Sequence, residues 1–135
     1  RPAPEGAPQP DPTTALGELW TIGAGSVGTA ALYFLTLFTR RFDAALVDKD
    51  DVEIENLDRS PIFIAADDGR PKVDATADYL RSVGVVAVRP ERAALSDSNL
   101  WRNRQEGTPD LLIAAANEDH VRFQIEADMP PLQIY

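Results

Sequence analysis

A glycine-rich turn between two apolar segments constrains the fold of this chain more than any other feature. The sequence runs from Leu19-Trp20-Thr21-Ile22 into Gly23-Ala24-Gly25-Ser26-Val27-Gly28, and a mostly apolar stretch follows to about Phe38. In such a turn Gly23 permits the tight bend, Gly25 lets a phosphate approach the backbone, and Gly28 lets the helix pack closely on the strand. The free amides at the helix start face an anion. We therefore predict a nucleotide-binding turn, with a glycine turn that serves packing alone as the alternative.

Segments typical of strands and helices alternate along the chain. We predict strands at 19–22, 44–47, 85–88, 110–115 and 132–135, helices at 26–38, 71–83 and 118–127, and a short helix near 95–104. Pro71 suits the first turn of its helix, and Gly84 suits that helix's end. This alternation implies right-handed βαβ units. The predicted fold class is α/β, a Rossmann-like, doubly wound, mostly parallel sheet with helices on both faces.

The two ends of the chain suggest a piece of a larger protein. Residues 1–14 contain five prolines and are predicted to be a Pro-rich linker or disordered tail. Residues 15–135 are predicted to form one Rossmann-like domain. The sequence stops as its fifth predicted strand begins, so we expect this domain to be C-terminally incomplete.

Composition excludes several classes of function. The 135 residues carry a net charge of −9, which argues against a general surface for nucleic acid or anionic membranes. There is no cysteine, so the chain has no disulfide, thiol nucleophile or thiolate zinc site. No window approaches the roughly 18 unbroken apolar residues of a membrane span. We expect a cytoplasmic protein that binds neither nucleic acid nor membrane.

Polar side chains after the second predicted strand narrow the kind of nucleotide. Asp48 ends that strand, where a carboxylate can accept both ribose hydroxyls, although it could be a turn-forming aspartate only. Asp50 lies within reach of the same crevice and could help to bind Mg²⁺. Asn56, Arg59 and Lys72 follow, and they supply the donors and positive charges that a triphosphate needs. A dehydrogenase would require only the first acid, so this set favours ATP over a dinucleotide.

Together these motifs resemble the adenylating domain of the ThiF/MoeB type, the superfamily that includes the ubiquitin-activating enzymes. The resemblance covers about residues 16–135. It rests on the glycine turn, Asp48-Lys49-Asp50, Asn56-Leu57-Asp58-Arg59, Pro71-Lys72, and Asp110-Leu111-Leu112-Ile113 followed by the segment from Asn117 to Arg122. The block from Asp48 to Arg59 with Lys72 is the specific part, because glycine turns of this kind occur in many nucleotide-binding proteins.

The resemblance implies ATP-dependent adenylation of the C-terminal carboxylate of a ubiquitin-like or sulfur-carrier protein, with Mg²⁺ required. Arg59 and Lys72 would be the catalytic residues, steadying charge as pyrophosphate leaves. The nucleotide would be bound by Gly23, Gly25, Gly28, Asp48, Asp50, Asn56 and Asn117. No metal ligands are assigned. The partner would be a carrier protein ending in glycine, and family members usually dimerise, so a homodimer is possible.

The chain departs from the family pattern at three places. Asn117 stands where the family commonly has an aspartate associated with Mg²⁺, and Ser60 follows Arg59 where the family usually has glutamine. An arginine that many members supply near the N-terminus is missing. Two alternatives therefore stay open: a degenerate nucleotide-binding half that partners an active one, and an NAD-linked oxidoreductase domain, which would give no role to Arg59 or Lys72.

Overall fold

The computed structural model describes residues 15–115 and 133–134. It contains one parallel sheet with the strand order β3-β2-β1-β4-β5. The strands are β1 (Ala15–Ile22), β2 (Arg41–Asp48), β3 (Val88–Arg92), β4 (Leu111–Ala114) and β5 (Gln133–Ile134), and the α-helices are α1 (Ser26–Thr36), α2 (Lys72–Ser82) and α3 (Asn99–Arg102). Short 3-10 helices span Ile54–Arg59, Ala65–Asp67, Leu95–Asp97 and Arg104–Glu106. The predicted α/β, doubly wound fold is confirmed.

The order of the strands places a crevice at the carboxyl edge of the sheet. From β1 the chain moves outward to β2 and β3, and then crosses back to β4 and β5 on the other side of β1. Ile22 pairs with Val47 of β2 and with Ala114 of β4, so the three central strands end at the same level. In open sheets of this type, ligands bind where the winding reverses, outside the carboxyl ends of the strands.

Each face of the sheet is covered by its own set of elements. Because side chains alternate along a strand, Leu19 and Leu46 join the core formed with α1 and α2, whereas Trp20 and Val47 lie on the opposite face. On that second face they pack with Leu95 and with Trp101 of α3, which is 2% exposed. Helical elements therefore lie on both faces, as the sequence predicted.

The predicted third strand is wrong in position. The β-branched residues 85–88 suggested a strand, but β3 begins only at Val88. Gly84, with φ +106°, ends α2, and the N–H of Val85 donates to the carbonyl of Leu80 at 3.0 Å while its side chain is fully buried. This is the hydrogen bond of a helix C-terminal cap with its apolar contact. Because β3 lies at the edge of the described sheet, it accommodates Pro90.

Other predicted elements are placed close to their expected positions, with one correction for α1. Apolar residues nearly all round this segment suggested a helix buried against the sheet, but Val27, Phe34 and the following Phe38 are 55%, 56% and 47% exposed. Its buried side faces the sheet through Leu32 and Thr29. The predicted tail at 1–14 and helix at 118–127 lie outside the described residues.

Candidate functional site

The glycine turn joins β1 to α1 and leaves the amides of the first helical turn without a side-chain cap. Gly23 has φ +99°, which favours glycine, and its N–H donates to the carbonyl of Val47 at 2.8 Å. A Cβ on Gly28 would lie 2.3 Å from the carbonyl oxygen of Gly23, so the helix can approach the strand this closely only with glycine there. A Cβ on Gly25 would meet nothing within 4 Å.

The electrostatics of this helix start suit an anion. Gly25 is the N-cap residue of α1 and makes no side-chain hydrogen bond, and the first turn of α1 contains no acidic residue. The first amides of an α-helix have no partner within the helix, and the helix dipole adds positive potential there. The space beside Gly25 is therefore lined by free amide donors, an arrangement that binds phosphate.

Asp48 joins the end of β2 to the glycine turn. One carboxylate oxygen, Oδ2, accepts the N–H of Ala24 at 2.6 Å, and the other, Oδ1, accepts the N–H of Asp50 at 2.7 Å. Both oxygens are thus engaged by backbone amides, and each keeps a second lone pair for another donor. Asp48 therefore shapes the turn and can also accept ribose hydroxyls, so the two interpretations of this residue are compatible.

The predicted cationic residues lie in two helical elements that follow Asp48 along the chain. Arg59 ends the 3-10 helix Ile54–Arg59, and its exposed side chain makes no ion pair within the described part of the chain. Lys72 begins α2, and its N–H donates to the carbonyl of Asp50 at 3.0 Å. A backbone bridge between Asp51 and Pro71 reinforces that contact. The start of α2 is thus fixed beside the Asp48–Asp50 turn.

The remaining predicted site residues are only partly described. Asp50 is exposed and lies next to Asp48 on the solvent side. Asn56 lies in the 3-10 helix, and its side chain is outside what the structure describes, as is all of Asn117. Among the described residues no group of three or more acidic or histidine side chains is arranged to hold a metal ion.

An ion-paired segment supports the approach to α2. Asp67 is 8% exposed, accepts the N–H of Ile64 at 2.9 Å and pairs with Arg70 at 3.0 Å. Arg70 also donates to the carboxylate of Asp78 of α2 at 2.5 Å, and this hydrogen bond, with a second that Arg70 donates to Asp67, raises the pKa of the Arg70 guanidinium. The pairs hold the residues before Lys72 against α2.

Two structural contacts at the site were not predicted from the sequence. Arg92, at the carboxyl end of β3, lies 2.9 Å from the carboxylate of Asp51. A buried hydroxyl pair also links Ser60 to Thr29 of α1, with 2.9 Å between the oxygens. Local sequence patterns give no signal for either contact, because the partners are 41 and 31 residues apart.

A separate cavity of about 420 Å³ lies on the face of the sheet that α3 covers. Three of its four charged groups are already paired: Glu18 with Arg89 at 2.6 Å, and Glu91 with the N–H of Asn99 at 2.7 Å. It therefore offers few unsatisfied groups for a ligand. As for membranes, none of the helices among the described residues has the length and apolar character to span a bilayer.

Comparison with known proteins agrees with this geometry. A profile described as the ThiF family matches residues 18–127. The chain is 31% identical over 107 residues to molybdopterin-synthase adenylyltransferase of Escherichia coli, covering 78% of this chain and 42% of that protein. It is 32% identical over 65 residues to the catalytic subunit of the NEDD8-activating enzyme E1 of Saccharomyces cerevisiae, covering 48% of this chain and 22% of that one.

A third relative is not named as an adenylating or activating enzyme. The chain is 30% identical over 125 residues to human peroxiredoxin-like 2A, covering 89% of this chain and 53% of that protein. Because this chain has no cysteine, no thiol chemistry follows from that likeness. The chain thus spans about half or less of the length of the curated relatives it matches.

Solved structures show the same fold. E. coli tRNA N6-threonylcarbamoyladenosine dehydratase, TcdA, superposes with a TM-score of 0.72 at 20% identity, covering 85% of this chain and 49% of that one. E. coli MccB, solved with ATP, gives 0.66 at 18% identity over 82% of this chain and 35% of its own. Since the ThiF profile covers most of the sequence, the chain belongs to the ThiF family.

Proposed function

We propose that this chain is the ATP-binding part of an enzyme that adenylates the C-terminal carboxylate of a ubiquitin-like or sulfur-carrier protein. The observation that carries the proposal is the contact between the Asp48 carboxylate and the glycine turn, beside an uncapped helix start. Lys72 begins α2 next to the Asp48–Asp50 turn, and Arg59 ends the earlier 3-10 helix Ile54–Arg59. Relatives named as adenylyltransferase and activating enzyme support this, as do related folds solved with ATP.

In this proposal each group at the site has one task. The amides at the start of α1 and the glycine turn hold phosphate, and Asp48 accepts the ribose hydroxyls with its free lone pairs. Arg59 and Lys72 bind the β- and γ-phosphates, with Asn56 as a further donor beside them and Asn117 after the fourth strand. Guanidinium and ammonium groups stabilise the charge that grows on the leaving pyrophosphate, which is the main demand of phosphoryl-type transfer.

The reaction needs no nucleophile from this chain. A carboxylate oxygen of the carrier's last residue attacks the α-phosphorus of ATP, and the bond from that phosphorus to the bridging oxygen breaks. Pyrophosphate leaves and an acyl-adenylate remains. The enzyme contributes position and electrostatic stabilisation, which can account for large accelerations without covalent catalysis.

Magnesium fits the site as a companion of the nucleotide. Mg²⁺ usually keeps several waters and is bound through one or two carboxylates together with substrate phosphates. Asp50 is an exposed carboxylate beside Asp48, so it could provide one such ligand, while the phosphates provide the others. The ion would neutralise phosphate charge, and we assign it no further protein ligand.

A second candidate is a nucleotide-binding half without turnover, and Asn117 favours it. A neutral side chain where the family commonly has an aspartate reduces the negative charge available to a metal ion. Membership of the family and the positions of Arg59 and Lys72 disfavour the third alternative, an NAD-linked oxidoreductase.

Pyrophosphate exchange distinguishes the two leading candidates. The intact protein would be incubated with ATP, Mg²⁺, labelled pyrophosphate and each candidate carrier protein, beside the same carrier lacking its terminal glycine. We expect label in ATP only with a full-length carrier, and loss of exchange in Arg59→Ala and Lys72→Ala. ATP binding without exchange for any carrier would instead support the scaffold half.

A further inference from the structure

We infer that Ser60 is a positioning residue: its buried hydroxyl fixes Arg59 relative to the glycine turn, and so determines how well the β- and γ-phosphates of ATP are bound. This inference rests on the proposed function, because it assumes that Arg59 binds those phosphates. Ser60 directly follows Arg59 and is 9% exposed, whereas Arg59 itself is exposed.

A chain of hydrogen bonds runs from Ser60 to the N-cap of α1. Thr29 is completely buried, and its hydroxyl donates to the carbonyl of Gly25 at 2.7 Å. Since a hydroxyl has a single proton, Thr29 can only accept from Ser60, whose Oγ lies 2.9 Å away. Ser60 Oγ in turn accepts the N–H of Ile62 at 3.2 Å and that of Phe63 at 3.4 Å. Buried chains of this kind polarise one another and resist distortion.

The carbonyl at the end of this chain belongs to the peptide that lines the predicted phosphate site. In a trans peptide the C=O and N–H groups point in opposite directions, so fixing the Gly25 carbonyl also fixes the N–H of Ser26. The peptide between Gly25 and Ser26 thus presents an amide at the start of α1. Its carbonyl is also linked, through the hydroxyls of Thr29 and Ser60, to the end of the 3-10 helix that carries Arg59. The two parts of the phosphate site are joined by a buried contact.

Among the described side chains of the 3-10 helix, only Leu57 packs against the core. Ile54, Glu55, Asp58 and Arg59 are all exposed, and Leu57 is only partly buried. Immediately beyond Ser60 the chain enters the core, because Ile62 and Phe63 are each 6% exposed and pack in the core cluster with α1. Ser60 therefore lies at the boundary between the exposed 3-10 helix and the buried segment that follows it.

Binding of ATP and of AMP tests the role of the hydroxyl. In Ser60→Ala the carbonyl of Gly25 keeps its bonds from Thr29, so AMP, which lacks the β- and γ-phosphates, should bind as in the wild type. ATP affinity should fall about tenfold, because Arg59 is no longer held in place. Calorimetry with each nucleotide gives both constants, and unchanged AMP binding also shows that the variant is folded. Ser60→Thr, which keeps a hydroxyl, should restore ATP binding.

Further variants separate positioning from simple destabilisation. Ser82→Ala is the matched control, because Ser82 is exposed and bonds only within α2. Thr29→Val, which removes the acceptor of Ser60, should lower ATP affinity at least as much as Ser60→Ala. In an Arg59→Ala background, Ser60→Ala should change ATP binding by less than twofold, since the residue that it positions is gone.

The outcomes distinguish failure of this inference from failure of the proposed function. Suppose that the wild type binds ATP more tightly than AMP and that Arg59→Ala removes this preference. If Ser60→Ala and Thr29→Val then leave the preference for ATP unchanged, Ser60 does not position Arg59. Equal losses for ATP and AMP would also contradict the inference. If the wild type does not bind ATP, the proposed function fails and the inference fails with it.

Discussion

Replacing Asp48 tests whether its carboxylate supports the fold independently of any ligand. Asp48→Asn keeps one oxygen but places an NH₂ group against a backbone donor, so one of the bonds to Ala24 and Asp50 is lost and the other loses its charge. Hydrogen bonds to charged groups contribute about 1.5–3 kcal/mol, and the partly exposed site suggests the lower end. We expect the free energy of unfolding to fall by about 2 kcal/mol.

The measurement is urea denaturation without nucleotide, with thermal melting as a second probe. A loss of about 2 kcal/mol corresponds to roughly 6–8 °C in Tm for a domain of this size. Asp50→Asn is the matched control, because Asp50 is exposed and only its backbone groups are bonded, to Asp48 and to Lys72. This variant should change the free energy of unfolding by under about 0.5 kcal/mol. Equal stability of the two variants would refute the structural role of the Asp48 carboxylate.

Two further predictions concern the segments around the site. Gly28→Ala should destabilise the protein by about 1–3 kcal/mol, because the new Cβ would lie 2.3 Å from the carbonyl oxygen of Gly23. The control is Gly107→Ala, whose new Cβ would meet nothing within 4 Å, and it should be nearly neutral in the same denaturation assay. Asp67→Ala should cost about 2 kcal/mol, since it leaves the N–H of Ile64 without its acceptor. Protease digestion should then cut the segment before Lys72 faster, and an unchanged digestion rate would contradict this role.

The elements that sequence reasoning placed well are those with strong local signals. The turn at Gly23 combines a strand, a glycine pattern and a helix. The apolar runs Ala44-Ala45-Leu46-Val47 in β2 and Leu111-Leu112-Ile113-Ala114 in β4 suit buried parallel strands. The third strand was misplaced because its sequence, Val-Arg-Pro-Glu-Arg, is polar and contains proline. Only its position at the edge of the described sheet makes that sequence acceptable, and edge position is a tertiary property.

The site shows the same limit. The residue types and spacing of Asp48, Asp50, Arg59 and Lys72 were enough to predict them as site residues. The contact from Asp48 to the glycine turn and the hydroxyl pair under Ser60 depend on how strands and helices meet. No periodicity in the sequence encodes these contacts, because each partner is far away along the chain.

The structural role of Asp48 changes which variant tests nucleotide binding most cleanly. A loss of ATP binding in Asp48→Ala would combine a missing ribose contact with a disturbed turn, since the carboxylate holds the N–H of Ala24. Arg59 is exposed and unpaired within the described part of the chain, so its removal should leave the fold intact. Arg102, which is exposed on α3 and only loosely paired with Asp97 at 3.8 Å, provides a matched control.

The most direct test of the central claim is calorimetric titration of the intact protein with ATP and with NAD in the presence of Mg²⁺, for the wild type, Arg59→Ala and Arg102→Ala. We predict that the wild type binds ATP in preference to NAD, that Arg59→Ala weakens ATP binding at least tenfold, and that Arg102→Ala leaves it unchanged. Preference for NAD, with no effect of Arg59→Ala, would contradict the account.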